Sequence, residues 1–144
     1  MRARIALFAA ALWWGSLTTL GFMVVPLLFV HLPSPAVAGA LAARLFGAQT
    51  WLSLGLGLLL LMVFQQKEPG AGVPPSYRAI TLIVIGMLLA LLVEFAVAPR
   101  IVSARSTGGD LRLWHSLGSA MYLGQWLCAL ALLWQQGSRP ETSR

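Results

Sequence analysis

Residues 45–64, LFGAQTWLSLGLGLLLLMVF, contain no charged side chain and are apolar almost throughout. A helix needs about 20 consecutive, predominantly apolar residues to cross the hydrocarbon layer of a bilayer. This stretch is long enough to do so without any contribution from its neighbours. It therefore predicts a membrane-spanning helix, and with it an integral membrane protein.

Three further apolar runs have the same character, and the four together predict an all-α fold, an integral membrane four-helix bundle. The spans are expected at about 5–30, 36–64 with its core at 45–64, 79–98 and 114–134. Pro33 and Pro35 follow the first span, and Pro99 is expected to end the third. A proline- and glycine-rich loop is predicted over 65–77 and a polar tail over 135–144. A single membrane domain then accounts for residues 1–144.

The composition agrees with this class. Of the 144 residues, 58% are hydrophobic and 10% charged, whereas an ordinary soluble domain has about 25% charged residues. The net charge of +6 comes from basic residues that stand singly between apolar runs, so it indicates membrane topology and not a nucleic-acid surface. The lipid bilayer is the predicted partner, and a homo-oligomer or a membrane-protein partner stays open.

The basic residues also predict the orientation. Arg2, Arg4, Lys67, Arg78, Arg139 and Arg144 fall on one side of the membrane, and Arg44, Arg100, Arg105 and Arg112 on the other. Because cytoplasmic loops carry the excess of Lys and Arg, the first side is expected to be cytoplasmic, together with both termini.

One half of the predicted bundle holds most of the polarity at membrane depth. The ends of the first and third spans and the starts of the second and fourth share that side, which gathers His31, Arg44, Gln49, Glu94, Arg100 and His115. Ionisable side chains at this depth normally face the bundle interior or a water-filled cavity. The sequence therefore predicts a polar pocket near the non-cytoplasmic side.

Glu94 gives the strongest signal, because it is the only ionisable residue in the third span and lies about one helical turn inside Pro99. Its side chain is too short to reach the interface, so it needs a partner or must stay neutral. The candidate partners are Arg44 and His115 by side, and Gln49, Ser119 and Tyr122 by depth. A packed carboxylate without chemistry and a ligand-binding or proton-handling group are equally open, and Arg44 is also interpreted as an interfacial, snorkelling arginine.

A polar stripe on the fourth helix supports His115. His115, Ser119, Tyr122 and Gln125 follow one another at i, i+4, i+7 and i+10 and are predicted to point inward. Interhelical hydrogen bonding is one interpretation. The other makes His115, with His31, a ligand of haem or copper, or a proton acceptor; no cofactor is otherwise predicted.

No catalytic residue is predicted, because the chain has no phosphate-binding loop, His-Glu-x-x-His element, cysteine pair or nucleophile elbow. Helix packing is predicted instead at Gly39, Ala43 and Gly47, which stand at i, i+4 and i+8. Such small residues let helix backbones approach closely, either within the bundle or at a dimer interface.

Short elements spread along the chain carry a family resemblance. They are Trp14-Gly15-Ser16 through Phe22 and Pro26, then Leu45-Phe46, Pro99-Arg100 and Trp114-His115-Ser116-Leu117-Gly118. Together they resemble the transmembrane protein 205 family and its bacterial relatives with domain of unknown function 4149. The chain departs from that pattern at Gly47, where the family often has proline. The resemblance implies a four-helix membrane fold without an established biochemical activity.

Three functions follow as alternatives. The first is a non-enzymatic component of transport or stress resistance in a bacterial inner membrane, with a pocket around Glu94, Arg44 and His115. The arginine-rich basic set, in which Lys67 is the only lysine, favours the bacterial source. The second is a haem- or metal-binding redox protein that uses His115. The third is an assembly or scaffold subunit that packs through Gly39, Ala43 and Gly47.

Overall fold

The computed structural model describes residues 1–65 and 77–137, and the regular structure of these residues is entirely helical. The predicted loop and most of the predicted tail lie outside the described residues. Four long helices are present: α1 (Arg2–His31), α2 (Pro35–Gln65), α3 (Tyr77–Leu92, Val93–Val97 and Ala98–Thr107 in succession) and α4 (Leu111–Gly137). All four are long and apolar enough to cross a membrane, which confirms the all-α four-helix membrane bundle.

Two of the helices continue through a proline. Wide π-helical turns over Thr19–Val24 precede Pro26 in α1, and similar turns over Val93–Val97 precede Pro99 in α3. A proline lacks an N–H and its ring presses on the carbonyl of the preceding turn, and a wider turn relieves that crowding. Helix α3 therefore runs on to Thr107, and the expectation that Pro99 ends it is wrong.

Short turns join the helices at one end of the bundle. Ser34 stands between α1 and α2, where its hydroxyl accepts a hydrogen bond from the Val37 N–H at 3.3 Å. Gly108 ends α3 with a φ of +74°, a backbone conformation that glycine adopts without strain. Asp110 is the N-cap residue of α4, and its carboxylate accepts a hydrogen bond from the Leu113 N–H at 2.9 Å. Each turn makes its two helices antiparallel neighbours.

The core lies where the four helices meet. Trp13, Leu60, Ile83 and Leu132, one from each helix, are completely buried. The six-membered ring of Trp13 lies against Gly86 of α3, so close that a Cβ added at Gly86 would stand 2.8 Å from it. The outer surfaces carry exposed leucine, valine and phenylalanine side chains, as a bundle surrounded by lipid requires.

Glycines of α2 receive side chains of α3 along one contact, which we call the α2–α3 seam. In this seam Gly57 faces the Met87 side chain, Gly47 faces the Glu94 carboxylate and Gly39 faces the Arg105 guanidinium group. Two members of the predicted packing stripe thus contact a helix of the same chain. The third, Ala43, is exposed.

Candidate functional site

Hydrogen bonds between α1 and α2 centre on Gln49. Its side-chain amide donates to the Ser16 hydroxyl oxygen at 2.9 Å and lies 3.4 Å from the Ser53 hydroxyl oxygen. The Ser16 hydroxyl in turn donates to the Trp13 carbonyl at 2.9 Å. Gln49 is 7% exposed and Ser53 is fully buried, so this contact lies inside the bundle.

Helix α4 contributes two aromatic donors to α1. The Tyr122 hydroxyl donates to the Leu17 carbonyl at 2.9 Å, and the Trp126 indole N–H donates to the Thr18 hydroxyl oxygen at 2.8 Å. The Tyr122 ring also packs edge-on against Phe46 of α2, with 5.1 Å between ring centroids. Tyr122 therefore connects α4 to both α1 and α2.

These hydrogen-bonding residues lie near the middle of their helices. We call the set of Ser16, Thr18, Gln49, Ser53, Tyr122 and Trp126 the midplane layer. In a bilayer a polar group at this depth has no water to bond to, so pairing between helices satisfies it. Gln49 and Tyr122, both predicted pocket residues, belong to this layer.

Four buried side-chain N–H groups have no acceptor among the described residues. They belong to Trp13, Trp14, Gln125 and Gln136. Gln125 is 3% exposed, and its place at the inner end of the predicted stripe agrees with its burial. A buried donor without an acceptor lowers stability, so the inward position of Gln125 is unfavourable for its amide.

Glu94 lies half-buried in the α2–α3 seam. A Cβ added at Gly47 would stand 3.3 Å from one carboxylate oxygen and 3.6 Å from the other, so both oxygens face the α2 backbone. No hydrogen bond or ion pair joins Glu94 to another described residue. Gly47 is two residues from Gln49, about 3 Å of helix rise, so the carboxylate lies close to the midplane layer in depth.

The remaining predicted pocket residues do not converge on Glu94. Arg44, His31, His115 and Ser119 are exposed, and within the described chain Arg44 forms no ion pair with Glu94. The Ser119 hydroxyl donates to the His115 carbonyl of its own helix at 2.9 Å. At this level α4 turns Gly118 towards Val97 of α3. His115 and Ser119 therefore point outward, contrary to the stripe prediction.

A haem or copper site at His115 stays a prediction. The part of the chain that the structure describes contains no group of three or more His, Cys, Asp or Glu side chains placed to hold a metal. The visible spectrum and the metal content of the purified protein test this alternative directly.

Residues 8–110 match the family described as a domain of unknown function (DUF4149), which is well over half of the chain. The chain belongs to this family. No curated protein and no solved structure matches it. The DUF4149 match includes Gln49 and Glu94, whereas Tyr122 and Trp126 lie beyond it, and the narrower resemblance to transmembrane protein 205 stays a prediction.

Sequence reasoning did not single out three members of the midplane layer, Ser16, Ser53 and Trp126. Serine in an apolar helix gives little signal, because its hydroxyl is equally able to bond to the preceding turn of its own helix. Trp126 lies in the same span as Trp114 and Trp134, which stand at the span ends where tryptophan is typical, and it was not distinguished from them. A depth estimate for α4 places Trp126 near the helix centre, and this is the signal that identifies it.

Proposed function

We propose that this DUF4149 protein is a non-enzymatic transport component of a bacterial inner membrane that binds a cationic group at Glu94. The observation that carries the proposal is the half-buried carboxylate against Gly47, without an ion-pair partner among the described residues. A carboxylate at membrane depth is stabilised by a cation when it is ionised and by a proton when it is neutral. In either state the site takes up positive charge.

The surroundings of Glu94 favour an organic cation with an apolar body. The next residue, Phe95, is 62% exposed on the outer surface of the bundle, and Met87 and Gly57 continue the seam towards the other end. A hydrated inorganic ion loses most of its hydration in such surroundings, whereas an organic cation brings its own apolar surface. The proposed ligand class is therefore a lipophilic cation, which approaches from the bilayer.

The proposed site is smaller than the pocket predicted from the sequence. Arg44 and His115 are exposed and are not paired with Glu94, so neither competes for the carboxylate. Gln49 and Tyr122 already have hydrogen-bond partners in the midplane layer. Glu94 thus supplies the charge of the site, and the seam supplies its shape.

Binding of tetraphenylphosphonium to the purified protein, measured by calorimetry in detergent, tests the proposal. We expect Glu94→Gln to weaken binding by about tenfold or more, as loss of a desolvated charge partner does. The matched control is Asp110→Asn, which removes the other carboxylate of the described chain and retains a capping side chain. It should leave the affinity within about twofold, because an exposed charge contributes little.

Two results would overturn the proposal: no binding to the wild type, or equal affinity in the wild type and Glu94→Gln. If Glu94→Gln does not fold, carbodiimide labelling of the wild type decides. This reagent attacks protonated carboxyl groups in apolar surroundings, so it should modify Glu94, and tetraphenylphosphonium should slow the modification. Labelling that tetraphenylphosphonium leaves unchanged would contradict a cation site at Glu94.

The transport part has its own test. Cells that produce the wild type should clear ethidium faster than cells that produce Glu94→Gln at the same level. Equal clearance, together with Glu94-dependent binding, would reduce the proposed role from transport to binding.

A further inference from the structure

A second polar feature lies outside the α2–α3 seam, where α3 ends and α4 begins. It is an open groove of about 300 Å³ lined by Arg100, Ser103, Ala104, Thr107, Gly109 and Trp114. The left-handed turn at Gly108 produces it, because the chain reverses there and brings the start of α4 beside the last turns of α3. We call it the Arg100–Trp114 groove.

The charge of this groove comes from Arg100. Its guanidinium carbon lies 4.7 Å from the ring centroid of Trp114, a cation–π contact that holds the group in place without neutralising it. The Thr107 hydroxyl hydrogen is already donated to the Ser103 carbonyl at 2.9 Å. The guanidinium group is therefore the charged donor that a ligand meets in the groove.

The nearby acidic side chains do not neutralise Arg100. Glu94 and Asp110 are the two acidic residues of the described chain; Glu94 lies against Gly47, and the Asp110 carboxylate accepts from the Leu113 N–H. This end of the bundle carries four arginines, none of them ion-paired within the described residues: Arg44, Arg100, Arg105 and Arg112. The local excess of positive charge fits an anion from outside the chain.

The depth of the groove decides which anion reaches it. Arg100 follows Glu94 by six residues, about 9 Å of helix rise towards the end of the span. Trp114 is in the first turn of α4, and tryptophan at a span end marks the headgroup region. At that level the abundant anions are lipid phosphates, and a planar guanidinium group suits phosphate oxygens.

We propose that the Arg100–Trp114 groove binds the headgroup phosphate of an anionic phosphoglycerolipid. Arg100 pairs with the phosphate, and Trp114 keeps the guanidinium group in the orientation that the phosphate meets. This site is separate from Glu94 and does not depend on the cation site proposed there.

Native mass spectrometry of the detergent-solubilised protein, titrated with phosphatidylglycerol, tests the inference. Arg100→Gln should weaken binding by about fivefold, which is what one basic residue contributes beside an anionic surface. Arg100→Lys keeps the charge but loses the planar stack, so we expect an intermediate affinity. The matched control is Arg78→Gln, which removes the same charge from an exposed position at the opposite end of α3 and should change binding by less than about twofold.

Phosphatidylcholine and inorganic phosphate form the other two arms. The wild type should bind phosphatidylglycerol in preference to phosphatidylcholine, and millimolar phosphate should not displace it. No lipid preference, or equal losses in Arg100→Gln and Arg78→Gln, would overturn the proposal. Displacement by free phosphate with the same dependence on Arg100 would reject the lipid and assign the groove to soluble phosphate. If Arg100→Gln does not fold, the lipid preference of the wild type and the affinity of Arg100→Lys still decide.

Discussion

Two buried glutamines show how differently one residue type behaves inside the bundle. Gln49 donates to the Ser16 hydroxyl oxygen, whereas the Gln125 amide N–H has no acceptor in the described part of the chain. Both side chains are almost fully buried, at 7% and 3% exposure. The two side chains therefore differ in hydrogen bonding and not in burial.

Replacing each glutamine by leucine should change stability in opposite directions. Gln49→Leu should lower the free energy of unfolding by about 0.6 kcal/mol, the average value of a hydrogen bond between membrane helices. Gln125→Leu should raise it by about 1 kcal/mol, because it removes a buried donor without an acceptor. Unfolding in mixed detergent micelles, followed by circular dichroism, measures both. Equal destabilisation by the two variants would contradict the assigned hydrogen bonds.

A set of glycine-to-alanine variants tests the packing around Trp13. A Cβ at Gly86 meets the rigid ring of Trp13, one at Gly57 meets the flexible Met87 side chain, and one at Gly55 meets open space. Gly86→Ala should lower the free energy of unfolding by about 1–3 kcal/mol. Gly55→Ala should raise it by about 0.5–1 kcal/mol through lower chain entropy in the unfolded state, with Gly57→Ala between the two. The same unfolding assay ranks them, and any other order contradicts the packing.

At the residue scale the sequence locates polar residues within the spans, but it does not predict which of them are in contact. It identified Glu94 and Gln49 as membrane-depth polar residues, because a single polar letter in an apolar run is visible without a structure. It also proposed Arg44 as a partner of Glu94, and the two are not paired. Depth follows from position along a helix, but facing depends on the rotation of each helix, which neighbouring helices set.

At the scale of the elements, the beginning of α4 depends on one side chain. The Asp110 carboxylate accepts from the Leu113 N–H, and the preceding Gly108 supplies the left-handed turn. This arrangement also forms one wall of the Arg100–Trp114 groove, which Gly109 lines. The stability of the helix start and the shape of the groove are therefore linked.

Removal of this cap should be measurable. Asp110→Ala should lower the free energy of unfolding by about 1 kcal/mol, the usual value of a lost N-cap side chain. Asp110→Asn retains a capping oxygen and serves as the control, with a change of only a few tenths of a kcal/mol. Thermal unfolding in detergent compares them. Equal losses in both variants would assign the effect to the charge and not to the cap.

The limits of α3 show what sequence patterns miss at this scale. A proline inside a helical pattern usually ends the helix, so Pro99 predicts an end of α3. The π-helical turns over Val93–Val97 instead let α3 continue beyond Pro99. Helix α1 likewise continues through Pro26 after the π-helical turns over Thr19–Val24. Turn geometry of this kind depends on which carbonyl each N–H meets, and residue spacing does not encode it.

At the scale of the whole molecule, the four spans were the most predictable property, because length and hydropathy suffice to define them. The orientation is a separate prediction that rests on the distribution of arginine and lysine. An even number of crossings places both termini on one side of the membrane. The turns at Ser34 and Gly109 then lie together on the other side.

Labelling with an impermeant maleimide in a Cys128→Ser background tests this orientation. Ser34→Cys and Gly109→Cys should react in intact spheroplasts, whereas Arg4→Cys should react only after the membrane is permeabilised. The reverse labelling pattern would indicate the opposite orientation. Labelling of Ser34→Cys and Gly109→Cys from different sides of the membrane would contradict the four crossings. Unmodified Cys128→Ser provides the background signal.

The burial of Trp13 has a consequence for biogenesis. Its contact at Gly86 belongs to the third helix, and Ala129 and Leu132 of the same core belong to the fourth. During synthesis, α1 enters the bilayer before any of these residues has been made. The Trp13 indole therefore lacks these contacts at first. Helix α1 thus completes its packing only after α3 and α4 have been inserted. A nascent chain that stops before Tyr77 can bring only Leu56 and Leu60 of α2 to this core, and the Trp13 ring lacks its contact at Gly86.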